Sequence, residues 1–243
     1  MRRALVPLLL ILSLVLLGAN LYQWQTARLS PTRVIADRFI EVWALQPDTW
    51  VANRFMGIST LQNPMDAWVT LEIINDVKPD VILETGTYRG GSALLWAMFL
   101  EHVNRKGRVI TIDIKHQAFE ARTHKLALER IEFLVGSSTS PEIVEAVGER
   151  VKGKRVLAIL DSAHSRDHVY EELKTYAPMI PVGSYIVVQD GAVCGHPLDN
   201  PPCPGPYEAV EDFLAETDGW VAVREHERHL MTSNPMGYLK RVR

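Results

Sequence analysis

The sequence predicts an α/β fold with a mostly parallel sheet and helices on both faces, preceded by an N-terminal membrane helix. Three observations carry this. Five strand-like apolar runs between residues 80 and 190 alternate with helix-like stretches, the pattern of parallel βαβ units. The runs are continuously apolar rather than alternating, as strands buried on both faces are. Ahead of them, Arg2 and Arg3 precede a charge-free stretch from Ala4 to Ala27.

The charge-free stretch comes first in the chain. Its centre, LLLILSLVLLGA, is long enough to enter a bilayer as a helix, and Tyr22 and Trp24 stand where interfacial aromatics belong. Gly18-Ala19 offers small residues for a cleaved signal peptide, but no A-x-A site follows, so a single-pass anchor through residues 4–24 is the expectation. Its orientation stays open, because Arg2 and Arg3 oppose Arg28, Arg33 and Arg38 across the span. This gives an anchor segment, 1–29, a lead-in or cap, 30–63, and a catalytic domain, 64–243.

The lead-in, with WALQPDTWVANRFMG, is polar and aromatic without a clear period. Residues 65–77 carry apolar groups at helical spacing and stop before Lys78-Pro79. Strands are then expected at 80–84, 108–114, 131–135, 155–161 and 184–190, with helices at 91–104, 117–129, 141–151 and 166–179. Runs at 220–225 and 237–242 extend the sheet. The segment GAVCGHPLDNPPCPGP, 191–206, is too rich in Pro and Gly for regular structure and is expected to wall the substrate site. It holds both cysteines, Cys194 and Cys203. Two nearby cysteines are weak evidence for a bridge, so free thiols are the expectation. The run REHERH, 224–229, reads as a solvated strand end.

Of 243 residues, 47% are hydrophobic and 23% charged, enough for one sizeable core, and the formal net charge of -3 gives no electrostatic reason to bind nucleic acid. A small molecule, glycan or lipid-linked acceptor is the partner class left, with a homo-oligomer open.

The first strand-to-helix turn, VILETGTYRGG, identifies the ligand class. In a doubly wound sheet, ligands bind beyond the carboxyl ends of the strands. A dinucleotide turn would read G-x-G-x-x-G, its second glycine admitting a pyrophosphate. Here Gly86 is followed by Thr87, Tyr88 and Arg89 before Gly90 and Gly91, and that second glycine is missing. What remains suits a nucleoside without phosphates: a tight turn, a helix N-terminus beginning near Ser92, and Glu84 to receive a cationic amine. Asp113, ending the second strand, is placed to hold ribose hydroxyls. S-adenosylmethionine has that shape and charge.

The blocks ETGTYRGGSALLWA, GRVITIDI, VGSS, LDSAHSRDHVYEEL, YIVVQD, GPYEAVEDFL and TSNPMGYLKR resemble the cephalosporin hydroxylase family. That family is a branch of the class I S-adenosylmethionine-dependent methyltransferases that includes rhamnosyl O-methyltransferases. The likeness runs from about Trp50 to the C-terminus. It implies a Rossmann-like methyltransferase sheet, cofactor contacts from Glu84 to Gly91 and at Asp113, and Ser137-Ser138 beside the adenine. It also implies a divalent metal, usually magnesium, held at the ends of the fourth and fifth strands, which here means Asp161, Gln189 and Asp190. The family pattern has an acid where this chain has Gln189, which removes one negative charge.

The chemistry expected is metal-assisted O-methylation, in which a cation lowers the pKa of an attacking hydroxyl. Asp161 and His164 are the expected catalytic groups, His164 as general base. His164 and His168 are four apart and would share a face of one helical turn; a zinc site is disfavoured, since no cysteine is near. Alternatives are a non-catalytic S-adenosylmethionine-binding membrane protein and, less favoured, a hydroxylase. Because the cofactor is cytosolic, the catalytic domain is expected in the cytoplasm.

Overall fold

The computed structural model describes residues 31–46 and 48–243. The membrane span expected at 4–24 lies outside these residues, and among the described residues no helix is long and apolar enough to cross a membrane. The chain divides into two compact units, the second running from Ile40 to Arg243. In the first, residues 31–39 are helical and carry an Arg33–Asp37 ion pair of 2.8 Å at i,i+4 spacing.

Helix α1 spans Pro31–Leu45. A short hairpin, β1 (Arg54–Phe55) and β2 (Ile58–Ser59), follows it. Helix α2 (Pro64–Val77) starts on Asn63, whose side chain accepts from the Met65 amide at 3.0 Å, with Pro64 in the first turn where no N–H is needed. Then come β3 (Val81–Thr85), α3 (Gly91–Val103), β4 (Arg108–Asp113), α4 (Phe119–Thr123), α5 (Lys125–Arg130) and β5 (Ile131–Val135). The chain continues through α6 (Pro141–Val151), β6 (Val156–Leu160), α7 (Arg166–Tyr176), β7 (Tyr185–Val188), α8 (Pro206–Glu216), β8 (Trp220–Ala222) and β9 (Tyr238–Arg241).

The main sheet has seven strands in the order β5-β4-β3-β6-β7-β9-β8. The first five are parallel, as expected, and β9 runs antiparallel between β7 and β8. Strand parity sorts the core into two layers. Ile82, Val109, Leu157 and Val187 pack with Ile73, Leu94 and Trp96 of α2 and α3. Val81, Leu83, Val156 and Ala158 pack with Val147, Leu173 and Phe213 of α6, α7 and α8. Both faces of β3 and β6 are therefore covered, which is why these strands are apolar throughout.

Five local expectations need correction. The helix expected at 117–129 breaks at His124, an extended residue whose Nδ1 accepts from the Leu126 amide at 3.2 Å and so caps α5. The helix expected to reach 179 ends at Tyr176, and Pro178 sits in a 3-10 turn over Ala177–Met179. The strand expected at 220–225 stops at Ala222, and Arg224–Glu227 forms another 3-10 turn. That turn is not a purely solvated strand end, because His226 lies between the rings of Tyr185 and Tyr238, 5.6 and 5.5 Å away. Finally, Cys194 and Cys203 form a disulfide rather than free thiols, closing the loop between β7 and α8 on itself.

Thr85 is registered against both Ile112 and Leu160, so β3, β4 and β6 end level. The chain order reverses between β3 and β6, with β4 and β5 on one side and β7 on the other, leaving a crevice at that edge. Gly86 sits at its base with φ +91, and a Cβ there would lie 1.8 Å from the Asp161 carbonyl oxygen. Gly183 also has positive φ, +89, but nothing within 4 Å of its missing Cβ. The two glycines separate backbone conformation from close approach. Gly183→Ala is expected to cost about 1–2 kcal/mol by urea denaturation, whereas Gly86→Ala costs about 4 kcal/mol or abolishes folding. Equal costs would contradict the packing described.

Candidate active site at the carboxyl edge of the sheet

One cavity of about 770 Å³ opens over this edge. Its wall includes Gly86, Thr87, Tyr88, Gly91 and Ser92 from the first turn, Asp113 after β4, Asp161, Ser162 and His164 after β6, and Gln189 and Asp190 after β7. Ten of the residues singled out in the sequence thus meet in one place. Glu84, Gly90, Ser137 and Ser138 lie off the wall.

Glu84 is 1% exposed and turned into the sheet, where Oε1 accepts from Trp96 Nε1 at 2.9 Å and Oε2 from Thr111 Oγ1 at 2.6 Å. Thr87 then donates to Thr111 across 2.7 Å, so the turn hangs from the buried acid through two hydroxyls. Burial pushes the Glu84 carboxyl up to about 7, against the lowering effect of its hydrogen-bond donors. Asp113 faces the cavity, but its Oδ2 accepts from the Tyr88 amide at 2.8 Å and its Oδ1 from that of Lys115 at 3.0 Å. The first bond holds Tyr88 at φ +46.

Asp161 is braced by a relay that the sequence did not reveal. Gln62 of the lead-in donates through Nε2 to Asp161 Oδ2 at 3.1 Å, and Gln189 donates to Gln62 Oε1, also at 3.1 Å. Asp190, at φ +57, donates its amide to Asn234 Oδ1 at 3.1 Å. The turn carrying Asn234 is fixed in turn by buried Asp66 of α2, which accepts from Thr232 Oγ1 (2.5 Å), the Ser233 amide (2.7 Å) and Tyr238 Oη (2.8 Å).

His164 Nε2 stands 3.4 Å from Asp161 Oδ1 and 3.3 Å from Asp190 Oδ2. Burial opposes its protonation, but the two carboxylates outweigh this and push it up to about 9. Burial raises Asp161 to about 6; the nearby His164 works the other way, and the Asp190 charge adds to the rise. His164 and His168 do not share a helical turn. His164 is in the loop before α7, while His168 is on α7 and lies 3.1 Å from Ser162 Oγ and 3.3 Å from Ser138 Oγ. Ser138 is also tied to α7 by Tyr176 Oη, which donates to its carbonyl.

The opposite wall comes from Glu41, Trp43, Ala44, Leu45 and Trp50 of α1 and the lead-in, and from Val193 and residues 197–201 of the disulfide-closed loop. Leu45, Leu61 and Trp50 make this side apolar.

Similarity to known proteins agrees with this geometry. The model of the rhamnosyl O-methyltransferase/CmcI family matches residues 47–242. The chain belongs to that family. A curated member, the rhamnosyl O-methyltransferase of Mycobacterium bovis (strain BCG / Pasteur 1173P2), is 32% identical over 216 residues, covering 87% of this chain and 86% of its own. The Mycobacterium leprae (strain TN) rhamnosyl O-methyltransferase is 33% identical over 192 residues, covering 78% and 82%. A solved CmcI structure with Mg and SAM covers 83% of both chains at 19% identity and a TM-score of 0.61, a likeness of fold. The family's sheet and this chain's sheet therefore share one architecture.

The buried acid beneath the first turn gives a pH signature. The folded-state pKa of Glu84, about 7, lies above its ordinary 4.5, so the folded state holds that proton more tightly. Its contribution to stability is complete below pH 4.5 and is lost as pH rises through 7. Wild-type stability by urea denaturation is expected to fall by about 3 kcal/mol more than that of Glu84→Gln across this window. Parallel profiles for the two proteins would contradict the burial of this carboxyl.

Proposed function

We propose that the protein is an S-adenosylmethionine-dependent O-methyltransferase whose acceptor is a hydroxyl of a glycan or other hydroxylated small molecule. The observation that carries the reading is one cavity joining the glycine turn after β3 to the aspartates after β6 and β7. Its volume lies within the range of about 300–1,000 Å³ usual for small-molecule sites. The rhamnosyl O-methyltransferase relatives make a rhamnosyl hydroxyl the first acceptor to try. The charge-free stretch Ala4–Ala27 adds a membrane tether and lipid-linked glycans to the reading.

In this assignment the nucleoside lies over Gly86–Ser92, with Asp113 at its ribose and Thr87 and Tyr88 beside the amino-acid end. Glu84 acts from below by holding the turn, and the Ser137-Ser138 loop supports the adenine side without lining the cavity. The acceptor occupies the space between residues 197–201 and the aromatic side of Trp43 and Trp50. Transfer forms an oxygen–methyl bond as the methyl–sulfur bond breaks, leaving a neutral thioether, and the acceptor proton departs into the acidic crevice. Asp161, pushed up to about 6, is matched to receive it near neutral pH. Without a cation the two carboxylates favour the protonated form of His164, whereas a cation between them opposes it, so His164 stays beside Asp161 as the second group able to take the proton.

A divalent cation fits the donor set: ligand atoms of Asp161, His164 and Asp190 all lie within 4.8 Å of one another. Such a cation, when bound, supplies Lewis acidity that lowers the pKa of a hydroxyl. Gln189 contributes by bracing Gln62, and through it Asp161.

The test is methyl transfer from labelled S-adenosylmethionine to a panel of rhamnosides, with calorimetry of S-adenosylhomocysteine binding. Turnover is expected in the wild type. Asp161→Ala is expected to lower it by about 100-fold or more while changing product-cofactor affinity less than about threefold. No binding of the cofactor product to the wild type would overturn the reading.

A further inference from the structure

Behind the Asp161 loop lies a second polar cluster, built on α7, that methyl transfer as described leaves without a role. Glu172 is fully buried, and its Oε2 has no hydrogen-bond partner among the described residues. Its Oε1 accepts from Ser162 Oγ at 2.8 Å and stands 3.4 Å from Nε2 of His168, one turn back along the helix. The same Nε2 lies 3.1 Å from Ser162 Oγ and 3.3 Å from Ser138 Oγ. A serine, a histidine and an acid suggest a nucleophilic triad, but the geometry excludes one. In a triad the hydroxyl and the acid bond opposite nitrogens of the imidazole, whereas here both meet Nε2. The one Ser162 hydroxyl proton is already given to Glu172, so Nε2 carries the proton of the shared contact and donates toward the serines.

The two serines belong to different loops. Ser138 is in the loop after β5, and its carbonyl accepts from Tyr176 Oη at the far end of α7. Ser162 directly follows Asp161 and lines the cavity. On its other side Asp161 is tied to β3, its amide donating to the Thr85 carbonyl at 3.0 Å. The carboxylate that faces the cavity is therefore held between the end of β3 and a serine anchored on α7.

We propose that His168 is a positioning residue for methyl transfer: its Nε2–H, shared between Ser138 and Ser162 above buried Glu172, clamps the loop after β5 to the loop after β6 and so sets Asp161 against the methyl donor. The inference rests on the methyltransferase reading and adds to it a side chain that does not line the cavity. Glu172 is the anchor. A carboxylate buried to this degree needs a donor or a cation beside it. It raises the pKa of His168 against the lowering effect of burial, which favours the ring form that donates.

His168→Gln carries an amide N–H to the place of Nε2, whereas His168→Asn stops at that of Nδ1. The His168 side chain is partly exposed, so both variants are expected to fold, as urea denaturation checks. Methyl transfer from labelled S-adenosylmethionine to the rhamnoside panel and amide hydrogen exchange are measured on the full chain. His168→Asn is expected to lower kcat by about 30-fold with KM for S-adenosylmethionine moved less than about threefold, and His168→Gln to stay within about threefold of the wild type. Exchange at 136–140 and 161–165 is expected to rise about fivefold or more in His168→Asn and to stay at the wild-type rate in His168→Gln. Ser138→Ala, which leaves the partner of Glu172 in place, is expected to lower kcat in the same direction. The double variant Ser138→Ala/His168→Asn is expected to be no slower than His168→Asn alone. Lys174→Ala removes a different contact of α7, its 3.0 Å ion pair with Glu216, and is expected to leave kcat and exchange at both loops unchanged.

Unchanged kcat or unchanged exchange in His168→Asn, equal losses in His168→Asn and His168→Gln, or additive losses in the double variant would overturn the proposal. Calorimetry of S-adenosylhomocysteine on the same samples keeps the two readings apart. Wild type that binds it while His168→Asn exchanges at the wild-type rate defeats only the clamp. Wild type that fails to bind it defeats the methyltransferase reading, and exchange at the two loops still decides whether His168 joins them.

Discussion

The site depends on one close approach, that of Gly86 to the backbone of Asp161. With no side chain in the way, the turn after β3 lies against the carbonyl that ends β6, and the two central strands finish level. Gly91 permits a second such approach, since a Cβ there would overlap Thr60 Oγ1 and the Ser59 carbonyl of the lead-in. These two contacts put the glycine turn, the Asp161 loop and the lead-in around one cavity. Any side chain at Gly86 would push β3 and β6 apart where a donor and an acceptor must meet.

Buried acids fix the parts that these approaches bring together. Glu84 suspends the turn through Thr111 and Thr87, and Asp66 locks the turn before β9 that holds Asp190. Burial raises the pKa of both, to about 7 and about 6. Among the described residues each is satisfied by hydroxyl, indole or amide donors rather than by an ion pair, as buried polar groups must be satisfied. Asp161 differs because it faces the cavity, with Gln62 holding one oxygen and the other turned toward His164.

Much of the fold could be read in the sequence because local signals agreed with the tertiary result. Pro141 opens α6 and the helix runs to Val151 as its periodicity indicates, and β5 occupies 131–135 as expected. The direction of Glu84 was also legible in principle. It shares parity with Ile82, and its cross-strand partner Thr111 shares parity with Val109, so both face the α2 and α3 layer rather than the open edge. The Gln62–Asp161 and Asp66–Thr232 bonds join residues 99 and 166 positions apart, and no periodicity encodes such contacts. The same holds for the lead-in, where Trp43 and Trp50 line the cavity through packing and not through any repeating pattern. The disulfide was illegible for another reason: Cys194 and Cys203 are brought to a Cα separation of 5.2 Å by a loop without regular structure.

The central claim is that the level strand ends form the pocket for a charged nucleoside. Hydrogen exchange of the wild-type protein with and without S-adenosylhomocysteine tests it most directly. The account predicts slower exchange confined to the turn at 86–92, the end of β4 near Asp113, and the loops beginning at Asp161 and Gln189. Unchanged exchange at those four segments at saturating ligand, or protection centred elsewhere in the chain, would contradict it.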